Sequence, residues 1–287
     1  MAAGGMLQGK TVLLTGASSG IGRATAVGLA QQGATLLLVG RTPERCAETL
    51  AEIRQRTGRD DVAMLQADLS SQQDVRRLAG DVLARAERLD VLVNNAGVTL
   101  ARRELTVDGL EATFATNHLA YFLLTGLLLP RLRASAPARI VNVASDAHRI
   151  GKLDLDDLQN ERSYGVMRVY GQSKAANILF TQELARRLTG TGVTVNCLHP
   201  GGIRSNLGRG NGPILDTVHR FVSIFLKSPE QGARTSLHLA SSPEVEGISG
   251  RYWKDCHEHA PSAHARDPEL ARRLWEKSEE LTGLRYP

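Results

Sequence analysis

Thr15-Gly16-Ala17-Ser18-Ser19-Gly20-Ile21-Gly22 joins an apolar run, Thr11–Thr15, to a helix-compatible stretch, Gly22–Gln32. Glycines at these points allow a sharp backbone turn and let an extended anion approach the main chain. The helix that follows offers unpaired N–H groups and the positive end of its dipole to the same anion. Without a ligand the pattern would be a tight strand–helix turn. Between a strand and a helix, it is the setting in which such glycines hold a dinucleotide pyrophosphate, and it makes Gly16, Ser18, Ser19, Gly20, Ile21 and Gly22 candidate cofactor contacts. The next apolar run ends in Val39-Gly40-Arg41. An acid at that point would bind the adenosine ribose of NAD; Arg41 instead offers a guanidinium to a 2′-phosphate, so NADP(H) is favoured over NAD(H).

Along the rest of the chain, short apolar runs alternate with longer helical patterns. Thr11–Thr15, Thr35–Val39, Ala63–Gln66, Val91–Val93, Ile140–Val143 and Val193–Leu198 read as strands covered on both faces, with a further strand near Gly250–Trp253. Gly22–Gln32, Pro43–Thr57, Ser71–Ala86 and Arg168–Leu188 read as helices between them. This alternation predicts an α/β, three-layer α/β/α arrangement: a Rossmann-type doubly wound parallel sheet of about seven strands. No linker or repeat divides residues 1–287, which are expected to form a single domain. One segment, 202–228, breaks the rhythm. Gly201–Gly212 carries five glycines, and Ile214, Leu215, Val218, Phe221, Val222 and Phe225 then recur at helical spacing. A movable flap over a substrate site, a helix packed on the core and a membrane-surface helix all fit that pattern.

Composition narrows the function classes. The 287 residues are 42% hydrophobic and 23% charged, as in ordinary soluble domains. The net charge of +5 comes from scattered short pairs such as Arg186–Arg187, and aromatics are only 4%, so a nucleic-acid surface is not expected. Cys46, Cys197 and Cys256 lie far apart with no metal-ligand spacing, which fits a reducing cytoplasm and no metal site. Met1–Lys10 holds no apolar leader or anchor, and the apolar run Leu119–Leu129 is shorter than the roughly 20 residues that cross a bilayer, so no membrane span is expected.

The chemistry-bearing residues cluster after the strands. Tyr170-Gly171-Gln172-Ser173-Lys174 places a phenol and an ammonium four residues apart, on one helix face. A free phenol titrates near 10, and a neighbouring ammonium stabilises its anion, so the pair is expected to be a general acid/base with a lowered tyrosine value. Asn94-Asn95-Ala96-Gly97 follows the fourth strand, Ser145 the fifth and Pro200-Gly201 the sixth; Asn117 stands on a helix that can face the same edge. That carboxyl edge is where open α/β sheets bind ligands.

Taken together, TGASSGIG, NNAG, Asn117, Ser145, YGQSK and the Pro-Gly turn resemble the short-chain dehydrogenase/reductase family from Lys10 to about Tyr286. The resemblance implies a catalytic tetrad of Asn117, Ser145, Tyr170 and Lys174. It also implies cofactor contacts from Asp68 and Leu69 near the adenine, from Asn94, Ala96 and Gly97 around the adenosine ribose, and from Pro200, Gly201, Ile203 and Ser205 near the nicotinamide, with Tyr170 and Lys174 close by. Asp146-Ala147-His148, the run His199 to Leu207, and Ser249-Gly250-Arg251-Tyr252-Trp253 with Leu274-Trp275 are similar to the retinol dehydrogenase-like subgroup. That likeness implies reduction of lipophilic aldehydes or ketones with NADPH, or the reverse oxidation of alcohols, in a homodimer or homotetramer. A catalytically idle NADP(H)-binding sensor or scaffold is the alternative; it would keep the glycine loop and be free to lose the tetrad.

Overall fold

The structure, a computed structural model, describes residues 5–201 and 228–287. Its sheet is built from β1 (Thr11–Thr15), β2 (Thr35–Gly40), β3 (Ala63–Gln66), β4 (Val91–Asn94), β5 (Ala138–Val143), β6 (Val193–His199), β7 (Tyr252–Lys254) and β8 (His257–His259). The order is β3-β2-β1-β4-β5-β6-β7-β8, parallel as far as β7, with β8 antiparallel to it. The seven expected parallel strands are therefore present, and the eighth was not foreseen. Asp255 and Cys256 turn the β7–β8 hairpin with φ of 52° and 63°, a geometry usually announced by Asn-Gly, and β8 is an exposed His-Glu-His with no apolar alternation.

Strand parity explains how one sheet buries two faces. In β1, Val12 and Leu14 join one core with Ala26, Leu29 and Leu239, whereas Leu13 joins the other with Leu78, Phe122 and Phe180. The same division holds for Leu36 and Leu38 against Leu37 and Val39 in β2. Helices α1 (Gly20–Gln31), α2 (Pro43–Thr57) and α7 (Pro229–Ser241) belong with the first core. Helices α3 (Gln72–Arg85), α5 (Ala120–Ala134), α6 (Val166–Arg187) and the C-terminal α8 (Pro268–Thr282) cover the second.

Helix α5 continues a short α4 (Ala112–Phe114) through a π-helical turn, Ala115–Leu119. The run Ala112–Ala134 is longer than the apolar stretch visible in the sequence, and by length and composition alone it could cross a membrane; 89% of its apolar window is instead buried in the protein. Part of the cover is α8 and the tail: Trp275 meets Phe122 edge-on with ring centres 5.1 Å apart, and the Tyr286 hydroxyl donates to the Phe122 carbonyl at 2.7 Å.

The chain runs from β1 out to β3 and then returns to the other side of β1 as β4. At this reversal, the loops after β1 and β4 diverge and leave a crevice at the carboxyl edge.

Candidate active site

The crevice is shaped from the β1 end. Gly16 has φ of +68°, and a Cβ there would lie 2.7 Å from the Ala96 Cα, so only glycine lets the β1 loop press against the β4 loop. Thr15 locks the same junction: its Oγ1 accepts from the N–H groups of Asn95 at 2.9 Å and Ala96 at 3.2 Å, and its carbonyl accepts from Asn95 Nδ2 at 2.9 Å. Helix α1 opens after Ser19, whose extended backbone (φ −163°) carries no side-chain cap, and its first N–H groups are left for a ligand.

The resulting cleft has a volume of about 550 Å³. Gly16, Ser18, Ser19, Gly20, Ile21 and Gly22 line one end of it, with Arg41, Asp68 and Leu69 beyond. Ala96, Gly97, Ser145, Tyr170, Lys174, Pro200 and Gly201 line the other. Ile203, Ser205 and the expected flap as far as residue 227 lie outside the described residues. Arg45, one helical turn beyond Arg41, also lines the cleft. Among the described residues neither guanidinium is paired with a carboxylate, and no acid stands at the end of β2. An extended anionic dinucleotide thus fits the features present: uncapped helix N–H groups, a glycine-bared wall, and two cations at the end where an adenosine 2′-phosphate would lie.

One expected contact is displaced. Asn94 is fully buried and its Nδ2 donates to Thr125 Oγ1 at 3.0 Å and to Asn142 Oδ1 at 2.9 Å, so its side chain serves the sheet and α5, away from the cleft. As the last residue of β4 it shares a face with Leu92, two positions back, which points into the core. Asn95 takes the outward position.

Three elements bring the tetrad together. The π turn carries Asn117; such turns are enriched at functional sites because the bulge re-aims side chains. Asn117 Oδ1 accepts from the Val98 N–H at 2.7 Å, and Nδ2 donates to the Val98 carbonyl and to Ser173 Oγ, both at 3.0 Å. It clamps the β4 loop to α6. Ser145 follows β5 by two residues and caps a 3-10 turn, Asp146–Arg149, by accepting from the Ala147 N–H at 3.2 Å. That turn lies directly on α6: a Cβ on Gly171 would come 2.4 Å from the Ala147 carbonyl oxygen, so the glycine after Tyr170 is what permits the contact. Ser145 and Tyr170 both line the cleft.

Lys174 Nζ donates to the Val143 carbonyl at 3.0 Å and stands 5.6 Å from the centre of the Tyr170 ring and 5.9 Å from that of Tyr121. Tyr121, not singled out in the sequence, donates its hydroxyl to the Ala96 carbonyl at 2.7 Å. The electrostatics reverse the sequence expectation. Burial pushes the Tyr170 phenol up to about 12, with Ser145 pulling the other way, and burial pushes Lys174 down to about 7. Both groups lose water, and the ammonium spends its bond on Val143 rather than on the phenol, so desolvation outweighs their mutual attraction.

These features agree with what known proteins share. The family profile described as short chain dehydrogenase matches residues 10–213. Human retinol dehydrogenase 14 is 46% identical over 296 residues, covering 98% of this chain and 88% of its own; human retinol dehydrogenase 11 is 46% identical over 278 residues, covering 97% and 87%. Among solved structures, an uncharacterized protein from Mycobacterium paratuberculosis superposes with a TM-score of 0.79 at 33% identity, covering 100% of this chain and 97% of that one. The Pseudomonas aeruginosa RhlG/NADP active-site complex superposes with a TM-score of 0.68 at 31% identity, covering 87% and 96%.

Proposed function

Because this chain belongs to the short-chain dehydrogenase family, as a retinol dehydrogenase-like NAD(P)-dependent oxidoreductase acting on CH–OH groups, we propose that it uses NADP(H) to interconvert a lipophilic aldehyde or ketone and its alcohol, with Tyr170 moving the proton. The observation that carries this reading is that Tyr170, Ser145 and Lys174 line the same cleft as the glycine loop.

In this reading the loop N–H groups from Ser18 to Gly22 would hold a pyrophosphate, and Arg41 with Arg45 a 2′-phosphate, since all of them line the cleft. When bound there, the nicotinamide dinucleotide supplies or accepts the hydride. The substrate carbonyl oxygen takes hydrogen bonds from Ser145 and Tyr170. Held near 12, the phenol keeps its proton at neutral pH, the form that can protonate the oxygen as hydride reaches the carbon. Lys174, held on the Val143 carbonyl beside the ring, supplies a charge that steadies the phenol oxygen as its proton leaves. Asn117 fixes the floor beneath them by holding Val98 and Ser173.

A lipophilic substrate is supported by the names of the retinol dehydrogenase relatives and by Val98 and Leu100 in the cleft wall. The test is oxidation of NADPH and of NADH, followed at their absorbance, against retinaldehyde, medium-chain aldehydes and small polar aldehydes. The reading predicts turnover with NADPH, higher specificity for the long apolar substrates, and a selective loss of NADPH use in Arg41→Asp. Equal loss with NADH, or turnover of polar aldehydes only, would contradict it.

A further inference from the structure

Asp146 follows Ser145 directly, yet its carboxylate turns to β7, two strands over from β5. It accepts from the Tyr252 hydroxyl at 2.8 Å and from Lys254 Nζ at 2.9 Å, both on β7. Its N–H donates to His199 Nδ1 at 3.2 Å, and its Oδ2 lies 3.5 Å from His199 Nε2. A ring nitrogen that accepts carries no proton, so the imidazole proton sits on Nε2, toward the carboxylate. His199 is the last residue of β6 and immediately precedes Pro200-Gly201, which line the cleft. Arg149, in the same 3-10 turn, approaches Asp146 at 3.8 Å. One carboxylate and its own amide thus meet groups from the ends of β5, β6 and β7.

Tyr252 supports the turn a second way. Its ring stands edge-on to His148 with centres 5.3 Å apart, and His148 bridges Ser145 and the C-terminal segment: Nδ1 is 2.7 Å from the Ser145 carbonyl, and Nε2 accepts from the Ser262 N–H at 3.0 Å. Burial would raise the Asp146 carboxyl, but the bonds from Lys254 and Tyr252 and the Lys254 charge outweigh it and hold it at about 2, so the clamp is anionic across the neutral range.

We propose that Asp146 is a positioning residue, joining the turn that carries Ser145 to the β6 end that carries Pro200-Gly201 and to β7, so that the Ser145 hydroxyl and the cofactor-facing turn keep a fixed separation. The proposal rests on the reading of Ser145 as a catalytic group. Asp146 is not among the residues that line the cleft; it acts through its neighbours, where a displacement of about 1 Å is enough to cost on the order of 100-fold in rate.

The experiment compares Asp146→Ala, Asp146→Asn, Tyr252→Phe and Ser145→Ala with the wild type for NADPH-dependent aldehyde reduction, with NADPH affinity measured by fluorescence and folding by thermal melt. Asp146→Ala is expected to lower kcat by about tenfold or more while aldehyde KM changes by less than about threefold, because it disturbs the reacting geometry rather than ground-state binding. Asp146→Asn, whose amide oxygen still accepts from Tyr252, is expected to recover kcat to within about threefold of wild type. Tyr252→Phe covers the case in which Asp146→Ala fails to fold, and should lower kcat by about threefold or more with the ring still packed on His148. Wild-type kcat in folded Asp146→Ala or in Tyr252→Phe, with Ser145→Ala inactive, would overturn the positioning role. Full activity in Ser145→Ala would instead overturn the catalytic reading on which it rests.

Discussion

The Lys174 ammonium reaches the Val143 carbonyl, 3.0 Å away at the end of β5, and is buried there behind the Tyr170 ring. Asn177, the next polar residue on that face of α6, donates to the same oxygen at 3.4 Å. The lysine is thus placed as a fixed part of the sheet edge, and the geometry carries a stability penalty that can be measured.

Burial lowers Lys174 to about 7 from an ordinary value of 10.5. Between those values the unfolded chain binds the extra proton, so stability rises with pH through that window; below about 7 the penalty is complete. Lys174→Met removes it. The variant should be inactive yet melt higher than wild type, with the gain larger at pH 6 than at pH 10. Calorimetry at the two pH values checks this; a pH-independent difference would count against a buried, strained ammonium.

Gly97 faces Asn117 and Lys174 at close range. A Cβ there would lie 3.3 Å from Asn117 Oδ1 and 3.5 Å from Lys174 Nζ. Gly97→Ala should fold, since the glycine is not in the left-handed region, but it should crowd both groups and lower kcat/KM by about tenfold with little change in melting temperature. Steady-state kinetics and a thermal melt on the same preparation test the separation.

His118 sits wholly inside the second core, 5.0 Å from the Phe114 ring and 6.0 Å from the Phe180 ring, with Nε2 2.9 Å from Ser278 Oγ. The Ser278 hydroxyl proton goes to the Leu274 carbonyl at 2.8 Å, so Nε2 must be the donor, while Nδ1 is buried with no hydrogen-bond partner to hold a second proton. Burial lowers its value to about 3 from 6.5. The unfolded chain then takes up a proton that the folded chain refuses, and stability falls as pH drops from 6.5 toward 3, by up to about 1.4 kcal/mol per pH unit. His118→Leu should flatten that acid limb by about one proton, as read from urea unfolding between pH 4 and 7; an unchanged slope would show that other groups drive acid unfolding.

Much of this architecture is legible in the residues, for identifiable reasons. Thr11–Thr15 and Thr35–Gly40 are apolar on both faces because both faces are covered, and TGASSGIG can only bend where a strand meets a helix. Asn95 was hidden beside Asn94 because the side each faces depends on where β4 ends, and one residue of register exchanges them. Arg45 is not legible as a cleft residue in the sequence, because it reaches the cleft beside Arg41 only once Pro43 starts a helix. The spacing of Tyr170 and Lys174 reveals their proximity, whereas the direction of their shifts depends on desolvation by everything packed around the pair. Asp146 stands in a stretch that marks the subgroup, but its role is not legible there, since its partners at 199, 252 and 254 are distant in sequence and meet only at the sheet edge.

The central claim is that the Tyr170 phenol delivers the proton in carbonyl reduction. The most direct measurement is the single-turnover rate of NADPH oxidation by an aldehyde in Tyr170→Phe, with NADPH affinity measured in parallel. The account predicts a fall of about 100-fold or more in the rate with affinity within about threefold of wild type. A variant that transfers hydride at close to the wild-type rate would contradict it.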